Sequence, residues 1–526
     1  MSKILVFGRN FCKGGEKDYI EVLSIMIQGA ESNLFNSKPD ANAIRTLSAT
    51  LAQRHQVLPL RVVGQTLYLA IADPSNILAL DEVRLATGYN IQPVILDSAH
   101  IAAEITNQYG ALDNIARQVD ESLVEGEENL LLTAQNTTPL STTDIIDSLL
   151  EQAVQHRASD IHLEPTRKGG RVRFRIDGIL HSQINFDSKV FTAVVTSLKV
   201  QAGMDIAQRL TPQDGRLEFS CLDEEIDVRV ACLPTIKGEK LVLRLLNRTN
   251  QIISIEKLGL TVHVQESLRR FLARSSGMIL ITGPTGCGKT TTLYTLLRLL
   301  NTTEQNIITI EDPVEYHIPG INQVHVNVKA GMSFANGLRA ILRQDPNIIM
   351  VGEIRDRETA EIAIRAALTG HLVLSTLHTN DAASTIARLL DMGIEPYLLA
   401  SALSGVMSQR LVRCVCPHCS QWYTPNVQEQ ALLNRYQMSS IRLKKGSGCP
   451  LCRYTGYQGR TAVAEILDPT STNIHKSILE RRIAEDIRQL AIKEGMVSLL
   501  ADGLSKVIDG QTTVTEVVRA VGWLAE

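Results

Sequence analysis

Apolar residues in the second half of the chain form four short continuous runs, and each run ends in polar residues. Parallel strands that are buried on both faces have this pattern, and open α/β sheets bind ligands at the carboxyl ends of their strands. A segment with helical leucine spacing, Thr291–Leu300, follows the first run. The pattern therefore predicts a parallel α/β sheet with a ligand site at one edge, built from strands at 278–281, 306–310, 347–351 and 371–377.

Patterns outside these runs predict further domains. Alternation predicts strands at 57–60 and 66–71, and helical spacing predicts helices at 78–86, 331–342, 483–492 and 499–507. Ser141 or Thr142 caps a predicted helix that extends to about Arg157. The chain then divides into a small N-terminal domain (1–110), an acidic linker (111–140), a second α/β domain (141–250), a core (251–410), a cysteine-rich subdomain (411–460) and a C-terminal helical bundle (461–526).

Composition narrows the class of protein. A chain of 526 residues is long enough for three or four domains, and its net charge of −3 gives no basic field that would attract nucleic acid. No apolar run approaches the length of about 18–20 residues that a membrane span needs, and Met1–Arg9 is too short for a secretory signal. Nine cysteines, four of them in paired motifs, suit a reducing compartment. We therefore expect a cytoplasmic protein.

A glycine-rich loop lies between the first strand and its helix. Its order of strand, loop with Gly-Lys-Thr, and helix is the context of a phosphate-binding P-loop. Backbone N–H groups and the helix N-terminus face the phosphates, while Lys289 neutralises their charge and Thr290 can bind Mg²⁺. The predicted nucleotide-binding residues are Gly283, Pro284, Thr285, Gly286, Cys287, Gly288, Lys289, Thr290 and Thr291.

Carboxylates follow the next two predicted strands. Glu353 comes after an apolar strand and a glycine, so it is the first candidate to position water or Mg²⁺. The second strand ends in three further carboxylates, and one of them is a candidate general base: Glu311, Asp312 and Glu315. Spacing does not separate these roles. The convergence of these groups on the P-loop predicts a nucleotide hydrolase.

Two Cys-x-x-C motifs lie beyond the predicted core. Four thiolates at Cys416, Cys419, Cys449 and Cys452 suit tetrahedral Zn²⁺ in a closed structural site, which implies no catalysis at the metal. Unliganded cysteines or a redox pair are the alternatives, and His418 is an alternative ligand. Cys414, two residues before the first motif, is interpreted as a bystander.

The motifs together resemble one family, the secretion ATPases that act as motors of type II secretion and type IV pilus assembly. The matching segments are Ile281–Gly286, Glu311–Glu315, Leu342–Pro346, Gly352–Asp356 and Thr369–Asn380. The resemblance covers about residues 50–526. It implies a multidomain α/β fold: a RecA-like P-loop ATPase core, a PAS-like α/β domain before it, a small zinc subdomain and a C-terminal helical bundle.

The resemblance also assigns roles to single residues. Ala158–His162, Gln213–Arg216, Asp227–Val230 and Leu233–Lys240 are similar to the family's second N-terminal domain. In that family, arginines of this domain reach toward nucleotide, which implies this role for Arg216 and Arg229, with Arg244 as a further candidate. The alternative is that arginines in this domain only form the basic solvent face of half-buried strands. Alternation predicts such a face for Arg171, Arg173 and Arg175. His378 is expected near the γ-phosphate, as a sensor of the nucleotide state, whereas His371 is expected to be structural.

The resemblance implies that the protein is a hexameric motor that binds ATP, Mg²⁺ and Zn²⁺. It would act at the cytoplasmic face of the inner membrane on a polytopic platform protein, with a docking protein bound to its N-terminal domain. The tetracysteine motif favours pilus extension or secretion over retraction, and the segment Pro319–Gly331 favours pilus assembly over type II secretion. A DNA translocase and a scaffold that binds ATP without turnover are the alternatives.

Overall fold

The computed structural model describes residues 39–109, 141–221, 224–247 and 254–522. The predicted acidic linker at 111–140 lies outside these residues, as do residues 1–38 and 110 of the predicted N-terminal domain and the predicted boundary between residues 250 and 251. Two compact units divide the chain. One contains the N-terminal domain with segments 416–420 and 446–456, and the other contains the second domain, the core and the C-terminal helices.

The N-terminal domain is a three-stranded sheet with helices around it. Strand β2 pairs antiparallel with β1 and parallel with β3. Asn76 accepts a hydrogen bond from Ala79 N–H at the start of α3, and Gly88 ends that helix at a φ of 71°, so the helix expected there is present. Its buried residues are Ala79 and Val83, whereas Ile77, Leu78 and Leu85 are exposed. The elements are α1 (Ala41–Ile44), α2 (Ala49–His55), β1 (Val57–Val63), β2 (Thr66–Ile71), α3 (Ile77–Thr87), β3 (Asn90–Ile95) and α4 (Ser98–Tyr109).

The second domain is a six-stranded antiparallel sheet, in the order β6-β5-β4-β9-β8-β7, with two helices. Ser141 and Asp144 form a capping box at the start of α5, so the predicted cap is present. The elements are α5 (Thr142–Gln155), β4 (Ala158–Thr166), β5 (Gly169–Ile176), β6 (Ile179–Asp187), α6 (Ser188–Gln201), β7 (Gln213–Cys221), β8 (Glu224–Thr235) and β9 (Gly238–Asn247).

The core contains a seven-stranded sheet in the order β12-β11-β13-β14-β10-β15-β18. All neighbouring strands are parallel except β15 and β18. The four predicted apolar strands are β11, β13, β14 and β10, and every residue in them is buried. The core elements are α7 (Val262–Leu272), β10 (Gly277–Thr282), α8 (Lys289–Leu300), β11 (Ile307–Glu311), β12 (Asn322–His325), α9 (Phe334–Ile341), β13 (Ile348–Val351), α10 (Arg357–Leu368), β14 (Leu372–Leu377), α11 (Ala382–Asp391), α12 (Pro396–Ala402) and β15 (Leu403–Val415).

The sheet extends past the expected end of the core at residue 410. Strand β15 continues to Val415, and β18 pairs with it in an antiparallel register from Val406 opposite Leu467 to Val415 opposite Tyr457. Between them lies a small two-stranded sheet of β16 and β17. The remaining elements are β16 (Ser420–Tyr423), α13 (Val427–Arg435), β17 (Leu443–Gly446), β18 (Tyr457–Leu467), α14 (Thr472–Leu479), α15 (Ala484–Lys493), α16 (Leu499–Ile508) and α17 (Val514–Val521).

Helix α9 begins later than its sequence pattern predicts. A short 3₁₀ turn occupies Val328–Ala330, and Gly331 has a φ of 78°, which ends that turn. Ser333 then caps α9 by accepting a hydrogen bond from Asn336 N–H. The predicted start at residue 331 was therefore wrong by three residues, because a turn and a cap precede the helix. Among the described helices, none combines the length and apolar character that crossing a membrane requires.

Candidate functional site

The predicted P-loop lies between the buried strand β10 and α8. Gly283, Gly286 and Gly288 have φ values of 143°, 79° and 91°, a region that favours glycine. A Cβ at Gly283 would lie 2.6 Å from the Cys287 sulfur, so the loop also has no room for a side chain there. Pro284, Thr285, Gly286 and Thr290 are exposed, whereas Cys287 is buried and Thr291 is half-buried. The middle of the loop and the first turn of α8 are therefore open to solvent at residues 284–286 and 290.

Lys289 is the first residue of α8 and its side chain is buried. Its Nζ donates to the carbonyl oxygens of Gly283 at 2.8 Å and Pro284 at 3.1 Å, and lies 3.5 Å from His378 Nδ1. Burial lowers the pKa of Lys289, while nearby Cys287 and Glu353 partly oppose that shift. The ammonium group is thus held across the P-loop and faces the end of β14.

His378 connects Lys289 with Glu353. His378 Nε2 lies 3.3 Å from Glu353 Oε2, while Glu353 Oε1 accepts a hydrogen bond from Arg355. An ammonium group can only donate, so His378 Nδ1 accepts and its Nε2 carries the proton that faces Glu353. The three predicted residues therefore form one polar line at the carboxyl ends of β10, β13 and β14.

Glu311 lies at the end of β11 and is only 3% exposed. Tyr294 of α8 donates to its Oε2, while Thr309 Oγ1 at 2.6 Å and Gln323 Nε2 at 3.2 Å donate to its Oε1. Burial raises the pKa of Glu311, and these hydrogen bonds oppose that shift. Tyr294 had no sequence motif that would have identified it, although it connects the P-loop helix with this strand.

The other two predicted carboxylates follow in the loop after β11. Asp312 precedes a cis proline, and Glu315 Oε2 lies 3.4 Å from an Arg229 guanidinium nitrogen. Arg229 also donates to Val314 O at 3.3 Å. The second domain and the core therefore meet at this loop, through one of the two arginines that the resemblance singled out.

Arg216 and Arg244 flank Arg229 in the antiparallel register of β7, β8 and β9. Directly paired residues share a face of a sheet, so the three arginines lie in a row. Arg244 donates to Asp160 at 3.1 Å, and Arg216 is exposed. Arg171 and Arg173 instead bind Glu164. Burial would raise the pKa of Glu164, but its bonds to Arg173, Arg171 and Lys240 outweigh that effect and lower it to about 2.

Two buried residues of β15 support the loop and lay outside the predicted site. Gln409 donates to Cys287 O at 2.7 Å and accepts from Thr292 Oγ1 at 2.8 Å. Arg410 donates to Asn380 O at 2.6 Å, and burial lowers its pKa. The pair Gln409-Arg410 in a largely apolar strand was the available signal, because buried polar side chains need specific partners. These residues connect the P-loop with the loop after β14.

The four predicted zinc ligands come together. Their sulfur atoms all lie within 4.8 Å of one another, and three separations are 3.9 Å (Cys416–Cys449), 3.8 Å (Cys419–Cys452) and 3.7 Å (Cys449–Cys452). Tetrahedral Zn²⁺ with bonds of about 2.3 Å needs sulfur atoms about 3.8 Å apart, so the donor set fits this ion. In the described chain His418 is exposed and does not belong to this cluster, and Cys414 lies outside it as well.

Comparison with known families assigns most of the chain. The family described as Type II/IV secretion system protein matches residues 134–519, which is well over half of the sequence. The chain belongs to this family. The MshEN domain family matches residues 32–114, which identifies the type of the N-terminal domain without assigning it a ligand.

Individual relatives agree with this assignment. The chain is 42% identical over 496 residues to the type IV pilus assembly ATPase PilB of Myxococcus xanthus, covering 92% of this chain and 87% of that protein. It is 41% identical to the type II secretion system ATPase E of Vibrio cholerae, covering 86% and 91%. The structure of the Legionella pneumophila ATPase DotB aligns with a TM-score of 0.54 at 21% identity, covering 74% of this chain and 98% of DotB, and supports the fold alone.

These results confirm the predicted family and the multidomain α/β architecture with a P-loop ATPase core, a cysteine cluster and C-terminal helices. The predicted enzyme class is also confirmed at the level of the family, whose members are named ATPases. The cysteine cluster is compatible with zinc. The roles of single site residues stay predictions, and so do the domain boundaries.

Proposed function

We propose that this chain is a motor ATPase that hydrolyses ATP·Mg²⁺ to drive extension of type IV pili. The observation that carries the hydrolytic part is the line of Lys289, His378 and Glu353 beside the P-loop. A phosphate at the loop would compete for the Lys289 ammonium group, which now lies 3.5 Å from His378 Nδ1. His378 would then report nucleotide occupancy to Glu353, the sensor role expected for it.

The P-loop residues bind and orient the nucleotide in this proposal. Backbone N–H groups of the non-proline residues of the loop, Gly283 and Thr285–Gly288, and the N-terminus of α8 donate to phosphate oxygens, and Lys289 neutralises charge that builds up on the β- and γ-phosphates. Thr290, exposed at the start of α8, and Glu353 are the residues that would hold Mg²⁺. When bound, the ion would stabilise the charge of the phosphates.

The four predicted carboxylates divide among three tasks. Glu353 is proposed to position the attacking water, because it lies beside the P-loop and its Oε2 faces the half-exposed His378. Glu311 is proposed to anchor the loop after β11, since three donors already bind its two buried oxygens. Asp312 and Glu315 then remain as candidates for the general base at this loop.

Arg229 and Arg216 are proposed to link hydrolysis to movement of the second domain. The contact of Arg229 with Glu315 and Val314 joins that domain to the loop that follows the anchored Glu311. A guanidinium fork suits the charge of a transferring phosphate. Any change at the loop during hydrolysis would therefore act on the arginine row, of which Arg216 is the exposed member.

The proposed assembly and location are based on the resemblance to the family. We propose a homo-hexamer at the cytoplasmic face of the inner membrane, which acts on a polytopic platform protein while a docking protein binds the N-terminal domain. Cys416, Cys419, Cys449 and Cys452 would hold structural Zn²⁺. Pilus extension is preferred over secretion because of the resemblance of Pro319–Gly331 to pilus motors. The 41% identity to a type II secretion ATPase makes secretion the second candidate.

The test is a gene deletion scored for surface pili and for secreted exoproteins. Wild type and Lys257→Ala, a change at an exposed lysine of the same core, should restore pili, whereas Lys289→Ala should not. Loss of exoprotein release with normal pili would instead assign the secretion system. Rescue by Lys289→Ala would reject a motor that depends on ATP, and DNA-stimulated turnover would favour a translocase.

A further inference from the structure

One face of α4 in the N-terminal domain contacts the loops that carry the four cysteines. Asn107 Nδ2 donates to Pro450 O at 3.1 Å, although these residues are 343 positions apart. The rings of His100 and His418 are edge to face, with centroids 6.4 Å apart. Both Cys-x-x-C motifs are thus in contact with the same helix.

Glu104 is the buried centre of this contact. It is 2% exposed and accepts hydrogen bonds from Asn107 at 3.3 Å and Gln108 at 2.8 Å. The Tyr454 hydroxyl also binds it, and burial together with this carboxylate raises the pKa of Tyr454. His100, Glu104 and Asn107 are spaced i, i+4 and i+7, so they form one stripe of α4.

The surface that receives α4 depends on a turn of unfavourable backbone geometry. Arg453 and Tyr454 have φ values of 51° and 60°, which L-residues adopt at a cost. Tyr454 N–H donates to Cys449 O, while the N–H groups of Cys449 and Gly456 donate to the Cys452 sulfur. Bonds from this sulfur to a metal would keep the turn in place, and the turn presents the Tyr454 hydroxyl to Glu104.

We propose that the tetracysteine centre is the docking site of the chain's own N-terminal domain, and that a metal bound by the four cysteines maintains this site. The structural metal would then have a definite role. It fixes two loops, 416–420 and 446–456, in the arrangement that the stripe on α4 recognises. This inference depends on the proposed zinc site and is independent of ATP hydrolysis and of which machine the motor serves.

Photocrosslinking on the full-length protein tests the proposal. A benzophenone amino acid substituted for His100 should crosslink to peptides that contain Pro417–Cys419 or Pro450–Tyr454. The same group substituted for Thr106 is the control, because Thr106 is exposed and its hydroxyl donates to Ala102 O of its own helix. Mixing isotope-labelled with unlabelled protein separates crosslinks within one chain from crosslinks between copies.

Removal of zinc with a chelator, checked by elemental analysis, should reduce the crosslink at position 100 by about fivefold or more, and added Zn²⁺ should restore it. The double variant Asn107→Ala/Tyr454→Phe should reduce it similarly with its zinc still bound. The role of the metal would be overturned if the crosslink persisted after the chelator had removed the zinc. It would also be overturned if the protein contained no metal when purified and still crosslinked normally. Crosslinks only between copies, or an unaffected double variant, would overturn docking onto the same chain.

Discussion

Two polar clusters lie at the carboxyl edge of the same sheet, and they differ in how fully their carboxylates are bound. The open cluster contains Lys289, His378 and Glu353, and its histidine is half exposed. The closed cluster contains Tyr294, Glu311, Thr309 and Gln323, and its carboxylate is 3% exposed with three side-chain donors. The acidic residue follows or ends an apolar strand in both clusters.

The difference indicates that position at a strand end does not by itself make a carboxylate reactive. A carboxylate has about four acceptor positions, and those of Glu311 are largely filled within the protein. Glu353 shares one oxygen with Arg355 and faces His378 with the other. The open cluster therefore has a polar group exposed to solvent, His378, whereas the closed cluster connects α8 with β11.

The largest expected effect is on turnover, at the open cluster. Glu353→Gln should reduce ATP turnover by about 100-fold or more, because the amide cannot position or accept a proton from water as the carboxylate does. ATP binding, measured with a fluorescent nucleotide, and the melting temperature should remain close to wild type.

Glu358→Gln is the matched control for that variant. Glu358 is an exposed glutamate of the same core that pairs with Arg339 on the surface. Its turnover should equal wild type. Normal turnover in Glu353→Gln would remove Glu353 from the chemistry and reverse the distinction between the clusters.

A substitution in the closed cluster should mainly lower the free energy of unfolding. Glu311→Ala leaves the buried donors of Tyr294, Thr309 and Gln323 without their acceptor, which should lower the free energy of unfolding by about 2 kcal/mol or more. Denaturant unfolding measures this loss, and turnover per folded molecule should fall much less than in Glu353→Gln. A stable but inactive Glu311→Ala would instead make Glu311 the general base.

Tyr294→Phe should have a smaller effect that depends on pH. The raised pKa of Glu311 means that its contribution to stability is complete below its unfolded value of about 4.3 and is lost as pH rises through the folded value. The Tyr294 hydroxyl limits this loss by stabilising the carboxylate. The variant should therefore lose about 1–2 kcal/mol at pH 8 and less at pH 5, measured by denaturant unfolding. An equal loss at both pH values would mean that Glu311 does not titrate across this range.

The sequence predicted the features that depend on a local pattern of residues. The buried strands β10, β11, β13 and β14 and the P-loop helix were expected within one or two residues, because parallel strands buried on both faces are apolar throughout. The cysteine cluster followed from ligand spacing. These features need little knowledge of distant contacts.

The features that the sequence could not predict depend on pairing between segments that are distant in the chain. The antiparallel addition of β18 to β15 joins segments on either side of the cysteine region, and neither strand contains a signal for its partner. Gln409 acquires its function only because β15 lies beside β10, and Tyr294 only because α8 faces β11. The distinction between Glu311 and Glu353 has the same origin, since it depends on donors that other elements supply.

The smallest expected effect is at the contact of the second domain with the loop after β11. Arg229→Ala removes the interactions with Glu315 and Val314 and should slow turnover by about threefold to tenfold, with ATP binding little changed. Arg229→Lys should recover part of this loss, because it keeps the charge without the planar fork.

Arg216→Ala is the comparison, since Arg216 is exposed in the same row and makes no ion pair among the described residues. If Arg229 acts through the loop and Arg216 acts directly on nucleotide, Arg216→Ala should raise the KM for ATP, whereas Arg229→Ala should lower kcat. Steady-state kinetics of both variants separate these effects. Wild-type kinetics in both variants would mean that the arginine row is only the solvent face of a sheet. The contact between the second domain and the loop after β11 would then have no effect on turnover.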